Sequence, residues 1–210
     1  MGDFVVDDIA GKPKTDSRRG LPMTRRDSVS ILASAVTRKR RTTVFQVGVQ
    51  LWHEPRNVDL AVAIAASYRR LTGLWLCGFD ITDWGPGRVA EALYGAPQAL
   101  LCHDGADDPR FLYANRTAQQ LWDLTWNEFV GMPSRLSAEA DQRQARARML
   151  AQAAQKGYFT GYRGVRINAG GQRFRIFDTT VFNVGIVGVD AQSQVELGQA
   201  AVIAGWEPVG

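Results

Sequence analysis

The chain is poor in the residues from which reactive centres are usually built. It contains two histidines and two cysteines in 210 residues. The cysteines, Cys77 and Cys102, sit in apolar runs (LWLCGF and ALLCHD) with neither C-x-x-C nor Cys/His ligand spacing. That excludes a disulfide framework and a structural zinc site. The two are read as small buried hydrophobes or, failing that, as reactive thiols. Free thiols suit a reducing compartment. No stretch reaches the ~18 apolar residues of a membrane-spanning helix; the longest, near 60–66 and 200–204, fall well short. A soluble, cytoplasmic domain is expected. There is no G-x-S-x-G, no P-loop and no dinucleotide fingerprint, so the common sequence marks of catalysis are missing. No internal repeat is visible.

What is present is an ordinary globular composition, 45% hydrophobic and 22% charged. A packed core is within reach without metals or disulfides. The net charge of +4 is unevenly placed. Residues 1–45 hold ten Lys/Arg against five Asp, and the remainder fifteen against sixteen acids. The basic character thus belongs to the N-terminal segment and is weak support for nucleic-acid binding by the rest. Residues 1–45 carry RRG, TRRDSVS and TRKRR clusters with little hydrophobic periodicity. They read as a disordered leader, or as sequence upstream of a start at Met23. An organellar transit peptide is the alternative, opposed by Asp3, Asp7, Asp8 and Asp16. A twin-arginine signal at Arg25-Arg26 is opposed by the basic run Arg38 to Arg41 after its short apolar stretch.

Residues 46–97 read as a helical segment. Leu60, Ile64, Ser67, Leu71 and Leu74 recur at three- and four-residue steps, predicting a helix over 58–76 capped by Asn57 and weakened at Gly73. A short helix over 89–94 follows a Gly/Pro-containing link. From residue 98 the pattern turns to strands. Ala99 to His103 is a buried strand, 104–109 a turn, and Phe111 to Ala114 a second strand. Asn115 caps a helix over 116–124, and 126–129 is one further turn, stopped by Gly131 and Pro133. Ser137 to Lys156 is the longest helix pattern. Tyr162–Asn168, Gln172–Val184 and Val195–Ile203 form three antiparallel strands, the first two joined by Ala169-Gly170-Gly171. In the second of these, Phe174, Ile176, Thr180, Phe182 and Val184 are expected inside, and Arg173, Arg175 and Thr179 outside.

Two strands, a group of helices and three strands is the order of a PAS-type sandwich, an α+β fold with an antiparallel sheet and helices on one face. The segments YANRTAQQLWDLTWNEF, PSRLSAE, GYFTGYRGVRINAGGQRFRI and GQAAVIAGW, in that order, resemble the MEKHLA domain, a PAS-related family. That family occurs at the C-terminus of plant class III homeodomain-leucine-zipper regulators and as stand-alone proteins in bacteria and green algae. The resemblance spans roughly Val58 to Trp206, contains no homeodomain or zipper, and so points to the stand-alone form. Within it, residues 98–206 would be the PAS-like core.

The resemblance implies a cavity between sheet and helices, with Asn115, Arg135, Arg166, Arg175 and Gln199 as the polar groups facing it. Arg135 could clamp a carboxylate or phosphate, or pair with Glu139 or Asp141. Asn115 is a ligand contact or a helix cap. Gln199 touches a ligand or a neighbouring side chain. Trp122 and Trp126, four apart, share a helical side if the turn is continuous, and either stack on a planar ligand or pack in the core. Covalent flavin chemistry needs a cysteine where this chain has Met132 to Leu136, and haem ligation a histidine on the long helix, which has none. Neither cofactor is expected. Asp104, Asp107 and Asp108 are a cation site or a solvated turn. Arg163, Arg166, Arg173 and Arg175 are a basic stripe for RNA or separate surface groups.

The function implied is a non-catalytic sensory or regulatory module for protein interaction or small-ligand sensing. The alternative is a small ligand-binding enzyme of an α+β sandwich type. A small ligand and a second copy of the chain are the expected partners; nucleic acid and membrane are not. A cavity filled by Trp and Phe would favour interaction, and an open one joining Arg135 and Gln199 a ligand site.

Overall fold

The computed structural model describes residues 51–138, 155–187 and 194–209. The leader over 1–45 and nearly all of the helix expected over 137–156 lie outside these.

The first helix, α1, is Pro55–Thr72. It starts earlier than the apolar stripe suggests because Pro55 occupies its first turn, where the missing N–H is no loss. Asn57 therefore sits inside the helix, and its Nδ2 donates to the Leu51 carbonyl at 2.6 Å instead of capping. Gly73 ends the helix in the left-handed region at φ 73°. Leu74, beyond that stop, leaves the stripe and is 61% exposed. Ala61, Ile64, Ala65 and Ser67 form the buried side. The second helix, α2, is Pro86–Gly95, again opened by proline and burying Val89, Ala90 and Leu93.

Five strands follow: β1 Ala99–Asp104, β2 Phe111–Ala114, β3 Tyr158–Ile167, β4 Arg173–Val187 and β5 Gln194–Pro208. Between β2 and β3 lie α3, Arg116–Trp122, and α4, Trp126–Phe129. All strand pairs are antiparallel, in the order β2-β1-β5-β4-β3. The C-terminal strands are longer than their apolar pattern and join the first hairpin through β1 and β5. The result is the α+β, PAS-like sandwich that the order of elements implied.

Helix α3 lies on one face of the sheet and α1 and α2 on the other, while α4 contributes Phe129 to the first core and Trp126 to the second. Strand β1 serves both: Leu100 and Cys102 pack with Ile64, Leu93 and Phe182 towards α1 and α2, while Ala99 and Leu101 pack with Trp122 and Phe129. Such alternation is what a strand covered on both sides must show. Strand β4 breaks it. Phe174 and Ile176 share the α3 side with Val181, whereas Phe182 and Val184 face α1. The switch lies beside Asp178, whose φ is 48°. A residue in that region re-aims the strand, so Thr179, expected outside, is fully buried.

Candidate functional site

The site grows from the α3 side of the sheet. On β3, Tyr162, Gly164 and Arg166 stand at alternate positions and so share a side. A Cβ at Gly164 would lie 2.6 Å from the Tyr162 hydroxyl and 2.9 Å from Arg166 Nη1, so a larger residue would push these side-chain tips aside. The space the glycine leaves lets the two tips meet. Arg166 Nη2 donates to the Tyr162 hydroxyl at 2.6 Å, and Nη1 donates to its neighbour's carbonyl, Val165, at 2.8 Å. Arg166 is 4% exposed.

Across the sheet a polar row runs through β1, β5 and β4. His103 pairs in register with Gln199, and Gln199 with Asn183. Gln199 Nε2 donates to Asn183 Oδ1 at 3.0 Å. His103 Nδ1 lies 2.7 Å from the Asp104 carbonyl, which makes Nδ1 the donor of that bond. The strands come close here because β5 carries Gly198, at φ 146°, where a Cβ would lie 1.9 Å from the His103 carbonyl.

These groups surround a small cavity of about 40 Å³. Its walls are apolar, chiefly Leu101, Phe111, Trp122, Phe159, Val181 and Ile203, and His103, Tyr162, Arg166, Thr179 and Gln199 add the polar points. Sites for drug-sized ligands measure roughly 300–1,000 Å³. This one admits a handful of heavy atoms and no fused ring system.

Of the residues singled out in the sequence, Trp122 and Gln199 line the cavity with Arg166. The others do not. Arg135 pairs with Asp108, its Nε 2.9 Å from Oδ1, on the half-exposed surface. That pairing also takes Asp108 from the acidic turn, where Asp104 accepts the amides of Ala106 and Arg110. Arg175 pairs with Glu207 at 2.7 Å, half exposed. Asn115 is a structural clip. Its Oδ1 accepts the amides of Leu100 and Ala118, and its Nδ2 faces the carbonyls of Leu93, Ala96 and Gln98 at 2.8–3.3 Å. The two tryptophans do not share a side. Asp123 stops α3 in the left-handed region, so Trp126 starts a new helix and packs against Tyr94 and Tyr113 on the opposite core.

The basic stripe also separates, because Arg166 is buried while Arg163, Arg173 and Arg175 are exposed. Both thiols are pushed up to about 12, chiefly by burial and at Cys102 also by the Asp104 charge; Cys102 is fully buried and Cys77 partly so. Tyr113 is buried with no partner for its hydroxyl among the described residues, and burial raises its pKa. It lies in the core facing α1 and α2. Patterning did not point to Tyr162, Thr179 or His103 as cavity residues. Thr179 was hidden by the strand switch at Asp178, and His103 becomes a cavity group only through its register with Gln199.

A family model described as the MEKHLA domain matches residues 58–208. A search of curated proteins finds no match. Among solved structures, the chain is similar to a PAS domain from Colwellia psychrerythraea, at 16% identity over 55% of this chain and 92% of that one, TM-score 0.46. It is also similar to the PAS domain, in complex with ethanol, of a LuxR-family transcriptional regulator from Burkholderia thailandensis, at 15% identity over 57% and 95%, TM-score 0.41. A light-oxygen-voltage domain with a flavin analogue matches at 14% identity over 59% and 85%, TM-score 0.42.

Proposed function

The chain belongs to the MEKHLA domain family, and from that premise we propose that it is a non-catalytic regulatory module that senses a small molecule in the cavity between its sheet and α3. The observation that carries the proposal is the mixture of groups in that cavity. His103, Thr179, Gln199 and Arg166 face a space otherwise walled by Leu, Val, Ile, Phe and Trp. A few converging polar groups on an apolar lining are how small-ligand sites fix orientation. A second reading, a protein-interaction module that pairs with another copy of itself, is favoured by the small volume and by Trp122 and Phe111 in the wall. The enzyme reading draws on the same polar groups. Among the described residues no three His, Cys, Asp or Glu side chains gather as a metal site, and no helix is long and apolar enough to cross a membrane. A reducing, cytoplasmic setting completes the proposal.

Native mass spectrometry, an absorption spectrum and thermal melting against a library of small metabolites test it together. The expected results are no absorption beyond the aromatic band and at least one compound that raises the melting temperature saturably. A protein that carries nothing and responds to no compound, yet elutes as a tight dimer, would establish the interaction reading instead. A bound chromophore would overturn the proposed ligand class.

A further inference from the structure

We infer that the cavity is an anion site which takes a small monocarboxylate on Arg166 and Tyr162; this rests on the ligand-sensing reading above. Arg166 is a buried charge with no counter-charge among the described residues. Arg166 is 4% exposed, and a guanidinium is always ionised in proteins. Its acceptors are both neutral, the Val165 carbonyl and the Tyr162 hydroxyl. Among the described residues no carboxylate lies within ion-pair distance of it, although Arg135 and Arg175 on the surface each have one. Burying an unpaired charge is costly, and native proteins place a group of opposite charge against it.

The neighbouring groups point the same way. Because the Tyr162 oxygen accepts from Arg166, its own proton is free to donate, and no acceptor for it stands among the described residues. A guanidinium has five N–H donors, of which two are engaged by those two acceptors. Thr179 spends its proton on the Phe177 carbonyl at 3.4 Å. The end of the cavity over Gly164 is therefore rich in donors, and its complement is a group that only accepts. A carboxylate fits, since a guanidinium grips it through paired hydrogen bonds.

Size and lining narrow the class. A water needs about 10–15 Å³ of such space, so a 40 Å³ cavity holds an anion of three or four heavy atoms. A single arginine balances one negative charge, which favours a monocarboxylate over phosphate. The apolar wall of Leu101, Val181 and Ile203 suits a methyl group better than a second polar end.

The probe is sodium acetate, with acetamide as the neutral isostere and sodium chloride at matched ionic strength. The full chain, labelled at arginine nitrogen, is titrated by NMR and melted in parallel. Acetate is expected to move the Arg166 Nε–H resonance saturably and to raise the melting temperature, while acetamide and chloride do neither. Arg166→Met should weaken the acetate effect by about tenfold or more, the loss of a charge-assisted pair. Should that variant fail to fold, the wild-type NMR titration decides alone. Equal responses to acetate and acetamide, or an Arg166 signal that acetate leaves in place, would overturn the inference. If acetate fails while a neutral library compound binds, the anion site is wrong and the sensing reading stands. If nothing binds at all, both fall.

Discussion

On the α1 side of the sheet, the buried hydroxyl of Ser67 is tied back into the chain twice. Ser67 donates from its hydroxyl to the Gly185 carbonyl at 3.2 Å and accepts the Gly185 amide at 3.1 Å, clamping helix to strand. On the α3 side, Arg166 is equally buried, yet among the described residues its charge meets a carbonyl, a hydroxyl and the face of the Tyr162 ring, and no carboxylate. The first kind of polarity is structural, because every bond it makes closes within the fold. The second leaves donors directed at a cavity. Tyr113 shows that an unpartnered polar atom is not sufficient. Its hydroxyl is also without a partner among the described residues, but it is not among the cavity's walls. Polarity and space have to coincide before a buried group becomes a receptor.

The largest effect should come from breaking the structural kind. Asn115→Ala removes the acceptor of two amides and the donor to three carbonyls. The orphaned buried groups should cost about 3–4 kcal/mol, read as a shift in urea midpoint. A loss below about 1 kcal/mol would remove the distinction drawn for Asn115. Matched enlargements test packing on the two sides. Ala61→Val, at a fully buried position of α1, should cost about 1–3 kcal/mol through overpacking. Ala201→Val, in the cavity wall, should cost less than about 1 kcal/mol, since space is available. Denaturation of both variants in one buffer is enough, and the reverse ranking would contradict the contrast. The smallest effect belongs to Arg135→Ala. Its ion pair with Asp108 is 49% and 47% exposed, so less than about 1 kcal/mol is at stake. The melting response to acetate should be unchanged by it.

Much of this architecture could be read before any coordinates. Asn115 was legible as a cap and Gly171 as part of a hairpin, since each follows from local backbone chemistry, whereas Gly73 was read as a weak point in a helix running to residue 76 and is in fact its stop. The order of elements and the separated motifs between Tyr113 and Trp206 carried the fold. The site was less legible. Arg135 drew attention because of its motif, but Asp108, 27 residues earlier, claims it. Arg175 was placed facing the cavity, whereas Glu207 on the neighbouring strand holds it at the surface. These partners come from register, which pairs residues far apart in sequence and leaves no periodic trace. The switch at Asp178 had the same effect on Thr179, because strict alternation has no means of anticipating a reversal. Gln199 and Trp122, which do line the cavity, stood out because an amide in an apolar strand and a tryptophan on an inward stripe are both unusual locally.

The pairing of β1 with β5 has a consequence for how the molecule is made. Residue 100 stands opposite residue 202 in register, and β1 sits between β2 and β5. A chain emerging from the ribosome therefore cannot close this sheet until β5 is out. Until then, β1 offers an open apolar edge. Contacts so distant in sequence slow folding and prolong exposure of such edges. A nascent chain halted before β5 should need chaperone cover, and the final fifteen-residue strand acts as the latch that ends that need.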